Sequence, residues 1–168
     1  MPENMTSAPS QNFNILSLSG GGFYGLYTIS VIAALEQETG RPFASHFDLM
    51  AGTSVGGILA LGLAAEIPAA DIKLAFEKHG TTIFSNRNNP STTPGAIRDI
   101  LRSVFSPKYK ADALRATVTE ILGSNTKIGD LKHPIIVPAV NLTKGRPQIF
   151  KTPHHHTFKL EPHHYASL

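Results

Sequence analysis

Two glycine-rich motifs constrain the fold of this chain more than any other feature. The first is Gly20-Gly21-Gly22-Phe23-Tyr24-Gly25, and the second is Gly52-Thr53-Ser54-Val55-Gly56. Each motif stands where an apolar run with strand character gives way to a run with helical spacing. Two successive strand–turn–helix units of this kind predict an α/β fold, with helices packed on a mainly parallel sheet.

The remaining segments extend this alternation. Strands are predicted over residues 13–19, 47–51, 134–142 and 148–151, the last two joined by a turn at Lys144-Gly145. Helices are predicted over about 24–38, 54–65, 68–78, 96–104 and 108–122. Turn-forming residues dominate 85–95, which is therefore predicted to be a loop. We expect residues 1–11 to be a flexible N-terminus and residues 12–168 to belong to one domain.

Composition and charge exclude several kinds of site. The chain has no cysteine, which rules out disulfides, thiolate zinc sites and a cysteine nucleophile. The net charge of +3 is uneven, because residues 127–168 carry six basic side chains against two acidic ones. This basic end either favours anionic lipid or nucleotide partners or is an ordinary solvated surface. The first residues lack a signal-peptide core, so we expect a cytoplasmic protein.

Both glycine motifs suit acyl transfer by a serine nucleophile. The second has the nucleophile-elbow pattern, in which small flanking residues permit a tight turn that presents the serine at the end of a strand. Backbone N–H groups in the first motif can stabilise the negative charge of the transition state, each contributing about 3–4 kcal/mol. The predicted site comprises the nucleophile Ser54, the oxyanion-hole residues Gly20, Gly21 and Gly22, and the elbow glycines Gly52 and Gly56.

The first motif also permits a different interpretation. Gly20-x-Gly22-x-x-Gly25 satisfies the dinucleotide-binding fingerprint, which requires an acidic residue at the end of the second strand. Here that strand ends in Gly52-Thr53-Ser54, and Asp48 lies near its start. We therefore favour the hydrolase over dinucleotide binding, and over the simpler alternative that both motifs are only tight turns.

Longer segments around the motifs resemble the patatin-like phospholipases. The match covers SLSGGGFYGL (17–26) and FDLMAGTSVGGILALGLA (47–64), and extends more loosely through 134–150. The resemblance implies a three-layer α/β/α fold with a mainly parallel central sheet. It also implies lipid acyl-ester hydrolysis by a Ser–Asp dyad, with no catalytic histidine, no metal and no cofactor.

The start of the chain resembles a narrower bacterial group. Ser-Leu-Ser-Gly-Gly-Gly and the following Gly-Leu-Tyr-Thr are similar to phospholipase effectors of the CBASS anti-phage systems, which a cyclic nucleotide activates. The resemblance implies a membrane phospholipid substrate, a cyclic-nucleotide activator and assembly into a homo-oligomer. It implies no nucleic acid polymer as a partner, and action at the inner face of the cell membrane.

Three departures from the family pattern affect the expected activity. Family members often carry Asp in place of Ser19 and usually Arg or Lys in place of Tyr24. No aspartate follows Asp130, whose Ile-Gly-Asp-Leu context does not match the family's catalytic Asp-Gly-Gly/Ala motif. We therefore expect a domain truncated on its C-terminal side, with the catalytic Asp beyond Leu168, and weak catalysis by this chain alone. The alternative is a catalytically silent module that binds lipid or nucleotide.

Histidines are rival candidates for the base. The runs His154-His155-His156 and His163-His164 could supply a Ser–His base or bind a transition metal. Adjacent residues of an extended chain point in opposite directions, so surface histidines are the favoured interpretation. The aromatic residues either line an acyl groove or belong to the core: Phe23, Tyr24, Tyr27 and Phe84.

Overall fold

Four strands form one mixed sheet. The computed structural model describes residues 12–84, 111–141 and 143–155. The strands are β1 (Ile15–Leu18), β2 (Leu49–Gly52), β3 (Ile135–Asn141) and β4 (Arg146–Lys151), and they lie in this order across the sheet. Strands β1, β2 and β3 run parallel, and β4 returns antiparallel to β3 as a hairpin. The predicted α/β class, with a mainly parallel sheet, is confirmed.

Helices connect the parallel strands. They are α1 (Gly25–Thr39), α2 (Val55–Ala64), α3 (Ala69–Phe84) and α4 (Ala111–Leu122). The prediction that α3 ends near Lys78 is wrong. Gly80 is buried and α3 packs against α1 and α4, so tertiary contacts outweigh the low helix propensity of Gly80 and the threonines that follow it.

The predictions of a loop over 85–95 and a helix over 96–104 lie outside the described residues. None of the helices in the described ranges is both long enough and apolar enough to cross a membrane.

Strand alternation determines where the core lies. Leu18, Met50 and Ile135 are buried, whereas Ile15 and Ser17 on the opposite face of the sheet are exposed. Helix α2 packs on the buried face and contacts all three parallel strands. Nine of its ten residues are buried, as its nearly continuous apolar sequence predicts. Because α2 is anchored along its length, the residue that begins it has a defined position at the edge of the sheet.

A single carboxylate joins the far end of α1 to the start of α3. Oε1 of Glu36 accepts the backbone N–H of Phe43 at 2.8 Å, and Oε2 accepts that of Ala69 at 2.7 Å. Both donors precede or begin helical segments, where backbone N–H groups have no partner within the helix. Glu36 therefore supplies an acceptor that the local chain cannot provide.

Candidate active site

The two glycine motifs meet at the carboxyl edge of the sheet. Strands β1 and β2 are parallel neighbours with Leu18 paired to Gly52, so the loops that follow them leave the same edge side by side. The N–H of Thr53 donates to the carbonyl of Leu18 at 3.2 Å, and the N–H of Gly20 donates to Oγ1 of Thr53 at 3.1 Å. A Cβ placed on Gly20 would lie 3.1 Å from the Cβ of Ser54. The structure thus brings the predicted nucleophile against the predicted oxyanion loop.

Ser54 occupies a strained turn between β2 and α2. Its backbone has φ 55° and ψ −127°, and among the described residues other than glycine only Glu66 shares a positive φ. The residue is exposed, and its side chain does not cap the helix. Such a conformation costs about 1–3 kcal/mol and persists only where the surroundings impose it. This geometry is the one that the nucleophile-elbow pattern predicts.

The elbow glycines are required by close backbone packing. A Cβ on Gly52 would lie 2.2 Å from the carbonyl oxygen of Gly56, and a Cβ on Gly56 would lie 2.2 Å from that of Leu18. No larger residue fits at either position without moving backbone. The first turn of α2 can therefore approach the ends of β1 and β2, which holds Ser54 at the rim.

Within the described residues, the first glycine motif leaves two unpaired backbone donors in the loop whose Gly20 lies against Ser54. Gly22 adopts φ 60° and begins the short helical turn Gly22–Tyr24 that leads into α1. The N–H groups of Gly21 and Gly22 have no acceptor in the part of the chain that the structure describes, as is usual at the start of a helical segment. The N–H of Gly20 is already bonded to Thr53. Sequence reasoning did not identify this role of Thr53, since position 53 is a variable position of the elbow pattern.

None of the carboxylates in the described residues forms a hydrogen bond with Ser54. Asp48 precedes the first residue of β2, at the opposite edge of the sheet, where its Oδ2 accepts the N–H of Asn14 at 2.7 Å. Asp130 accepts the N–H of Lys127 at 3.2 Å. The position of Asp48 agrees with the rejection of the dinucleotide-binding interpretation, because no ribose bound at the carboxyl edge could reach it.

The described histidines of the C-terminal clusters lie at the amino edge of the sheet, where they cannot act as a base for Ser54. His154 follows β4 and contacts Oγ1 of Thr152, which in turn accepts the N–H of Ile135, the first residue of β3. That position is the amino edge of the parallel strands, opposite Ser54. Burial lowers the pKa of His154, which favours its neutral form. The other predicted histidines lie outside the described residues: His156, His163 and His164.

The aromatic candidates are on the surface. The exposed fraction is 52% for Phe23, 82% for Tyr24 and 74% for Tyr27, so these residues neither join the core nor line an enclosed groove. The side chain of Phe84 lies outside the described part of the structure. Within residues 12–84, 111–141 and 143–155, no three His, Asp or Glu side chains converge in a way that could hold a metal ion.

Comparisons with known proteins identify the family to which the chain is similar. The family model described as patatin-like phospholipase matches residues 16–167. A cGAMP-activated phospholipase of Pseudomonas aeruginosa is 50% identical over 157 residues, which cover 94% of this chain and 44% of that protein. Proteins of the same name from Vibrio cholerae and Escherichia coli are 40% and 34% identical, covering 86% and 92% of this chain.

These relatives are considerably longer than the chain described. The alignments cover 42% of the Vibrio cholerae protein and 44% of the Escherichia coli protein, so the chain spans less than half the length of the relatives it matches. The matches confirm the predicted resemblance to patatin-like phospholipases and to their cyclic-nucleotide-activated bacterial members. The chain belongs to the patatin-like phospholipase family.

Proposed function

We propose that this chain supplies the nucleophile and the oxyanion hole of a phospholipid acyl hydrolase. The observation that carries the proposal is the strained, exposed Ser54 beside the Gly20–Gly22 loop, with that loop bonded to Thr53. A strained non-glycine residue that is also exposed has no packing role to explain its cost. A serine hydroxyl presented at a strand end beside unpaired N–H groups is suited to attack on an ester.

The reaction follows from these positions. Oγ of Ser54 attacks the ester carbonyl carbon, and the bond to the glycerol oxygen breaks, which leaves an acyl-enzyme and a lysophospholipid. Water then attacks the acyl-enzyme, releases a fatty acid and restores the hydroxyl. The N–H groups of Gly21 and Gly22 stabilise the oxyanion in both steps, and loss of one such donor costs about 10²–10³ in rate. Gly20 acts through its bond to Thr53, which holds the loop in place.

The general base belongs to the longer protein in this proposal. It accepts the Ser54 proton and passes it to the departing glycerol oxygen. The resemblance assigns this role to an Asp that follows the segment described.

A specific observation favours the alternative function: no carboxylate or imidazole in the described ranges bonds to Ser54. Alone, the chain would then be a silent module that binds lipid or nucleotide.

We further propose that a cyclic nucleotide regulates the hydrolase activity of the whole protein. Because three relatives bear the name cGAMP-activated phospholipase, we expect a cyclic dinucleotide to activate it in anti-phage defence, by promoting homo-oligomers at the inner face of the cell membrane. Adding cGAMP to the longer protein should raise fatty-acid release and its sedimentation coefficient. If neither changes with a panel of cyclic di- and trinucleotides, this regulation is wrong.

Covalent labelling with a fluorophosphonate tests the chemistry. The probe should label Ser54, so that Ser54→Ala abolishes labelling. Ser19→Ala is the matched control, since Ser19 is an exposed serine at the same edge and its removal should leave labelling intact. Labelling that persists in Ser54→Ala would contradict the proposed hydrolase activity, as would the absence of labelling from a chain extended to include the family's Asp. Either result would favour the alternative function, a module that binds lipid or nucleotide.

A further inference from the structure

Ser54 lies between two exposed features of the carboxyl edge. The strand order places the loop after β1 on one side of it and the turn between β3 and β4 on the other. Since neighbouring strands are about 4.8 Å apart, both features leave the sheet from strands that lie next to β2, the strand that leads into Ser54. The proposed reaction accounts for neither of them.

The first feature is a basic turn. Lys144 and Arg146 are exposed, and no carboxylate in the described residues pairs with either. The sequence has no acidic residue from 131 to 160. Oδ1 of Asn141 accepts the N–H of Lys144 at 3.0 Å, and its Nδ2 donates to Oε1 of Gln148 at 3.1 Å. The turn therefore presents two uncompensated cations on a hydrogen-bonded scaffold.

This turn projects beyond the end of β2. The pairing of Ala51 with Ile136 places Gly52 level with Val137, so β3 continues for four more residues, to Asn141. At about 3.3 Å per residue the hairpin rises about 13 Å above the edge. On this projecting part Val140 is 68% exposed and pairs with Pro147, which is also exposed. The hairpin thus combines a basic tip with an apolar face.

The second feature is aromatic. Tyr24 and Tyr27 follow the oxyanion loop and are among the most exposed large side chains. The first turn of α1 contains no acidic residue. Tyrosine prefers the boundary between water and lipid, because its ring is apolar and its hydroxyl is polar. An exposed uncharged aromatic pair at this position suits contact with a membrane surface.

We propose that these two features form a docking edge for an anionic phospholipid bilayer. The docking edge comprises Lys144 and Arg146 with Val140 on one side of Ser54, and Tyr24 with Tyr27 on the other. Its positive charge complements anionic headgroups, and its apolar side chains enter the interface. The hairpin tip reaches the bilayer first and holds the nucleophile over the lipid esters. This orientation rests on the proposed function, whereas the binding itself does not.

Vesicle cosedimentation tests the docking edge without hydrolysis when it uses the Ser54→Ala chain. This chain should bind phosphatidylcholine vesicles that contain phosphatidylglycerol, bind pure phosphatidylcholine vesicles weakly, and be released by salt. Lys144→Gln with Arg146→Gln should lower the partition coefficient about 30-fold, since each basic residue near the surface contributes about 1 kcal/mol. Tyr27→Ser should weaken binding by an amount that salt does not change.

The matched control removes the same charges elsewhere. Arg41 follows α1 and Lys127 precedes β3, so both are at the amino edge, and both are exposed. Arg41→Gln with Lys127→Gln should leave binding unchanged. Equal loss of vesicle binding in both double variants would overturn the proposal, and so would the absence of any preference for anionic vesicles. It would also be overturned if, in sedimentation without vesicles, the chain self-associates and only the Lys144/Arg146 variant does not. Failure of the hydrolase would appear separately, as absent fluorophosphonate labelling, in solution, of a chain extended to include the family's Asp.

Discussion

The N–H of Gly20 donates a hydrogen bond of 3.1 Å to Oγ1 of Thr53. Thr53 also donates its own N–H to the carbonyl of Leu18. Thr53 is therefore hydrogen-bonded both to the end of β1 and to the loop that follows β1. Thr53 directly precedes Ser54. The proposed nucleophile Ser54 and the loop that carries Gly21 and Gly22 are therefore joined through Thr53, as the proposed oxyanion hole requires.

Loss of the Thr53 hydroxyl should slow the chemistry more than it affects folding. Thr53→Val keeps the shape of the side chain but removes the acceptor for Gly20, so we expect fluorophosphonate labelling to slow about tenfold. The free energy of unfolding should fall by only about 1 kcal/mol. Thr53→Ser keeps the hydroxyl and should restore the labelling rate. If the serine variant is as slow as the valine variant, Thr53 does not act through this bond.

The backbone strain at Ser54 should lower the free energy of unfolding by a measurable amount. Glycine adopts positive φ without steric cost, so Ser54→Gly should be more stable than Ser54→Ala by about 1 kcal/mol, although neither variant can be labelled. Urea denaturation of the two variants makes the comparison, because both lack the hydroxyl. Equal midpoints would show that the backbone at this turn is unstrained.

The close approach of α2 to β1 predicts a steep penalty at Gly56. Gly56→Ala should lower the free energy of unfolding by about 3 kcal/mol and impair labelling, because the new Cβ collides with backbone. Gly40→Ala is the control: Gly40 has φ 65°, but no atom lies within 4 Å of the place that an alanine methyl group would take, so backbone strain alone should cost about 1 kcal/mol. Similar losses in urea denaturation would contradict the packing argument.

Glu36 should stabilise the fold through its two hydrogen bonds. Glu36→Ala leaves the N–H groups of Phe43 and Ala69 without an acceptor and should cost about 2–3 kcal/mol. Glu38→Ala provides the comparison, since Glu38 is an exposed carboxylate on the same helix and should cost less than about 0.5 kcal/mol. The melting temperatures of the two variants should differ by several degrees in thermal unfolding. Coincident unfolding curves would show that the two hydrogen bonds of Glu36 do not stabilise the fold.

Glu66 should contribute to stability only above acidic pH. Hydrogen bonds from Lys132 and His133 lower the pKa of Glu66 from its ordinary value near 4.5. A lowered pKa stabilises the fold above the unfolded value, and this contribution disappears as pH falls through the folded value. Wild type should therefore lose more stability than Glu66→Gln when urea midpoints are followed from pH 7 to acid. Parallel profiles would contradict the prediction, and Glu38→Gln controls for the loss of one charge.

The sequence alone was sufficient for the fold class and for the two strand–helix turns on which the candidate site is proposed. Glycines at fixed spacing after two apolar strands specify tight strand–helix turns, because only glycine tolerates the backbone contacts seen at Gly52 and Gly56. Such constraints are local, so the elbow at Ser54 and the loop at Gly20–Gly22 could be predicted from neighbouring residues. The same pattern made a mainly parallel sheet predictable.

Only the tertiary structure decided how those pieces are used. The bond between Gly20 and Thr53 joins residues 33 positions apart, and it leaves Gly21 and Gly22 as the available donors. Strand register placed His154 at the far edge and carried Lys144 beyond β2. Packing against two helices extends α3 to Phe84. Tyr24, just before α1, and Tyr27, in its first turn, remain exposed. Each outcome depends on contacts between distant segments, which residue spacing along the chain does not encode.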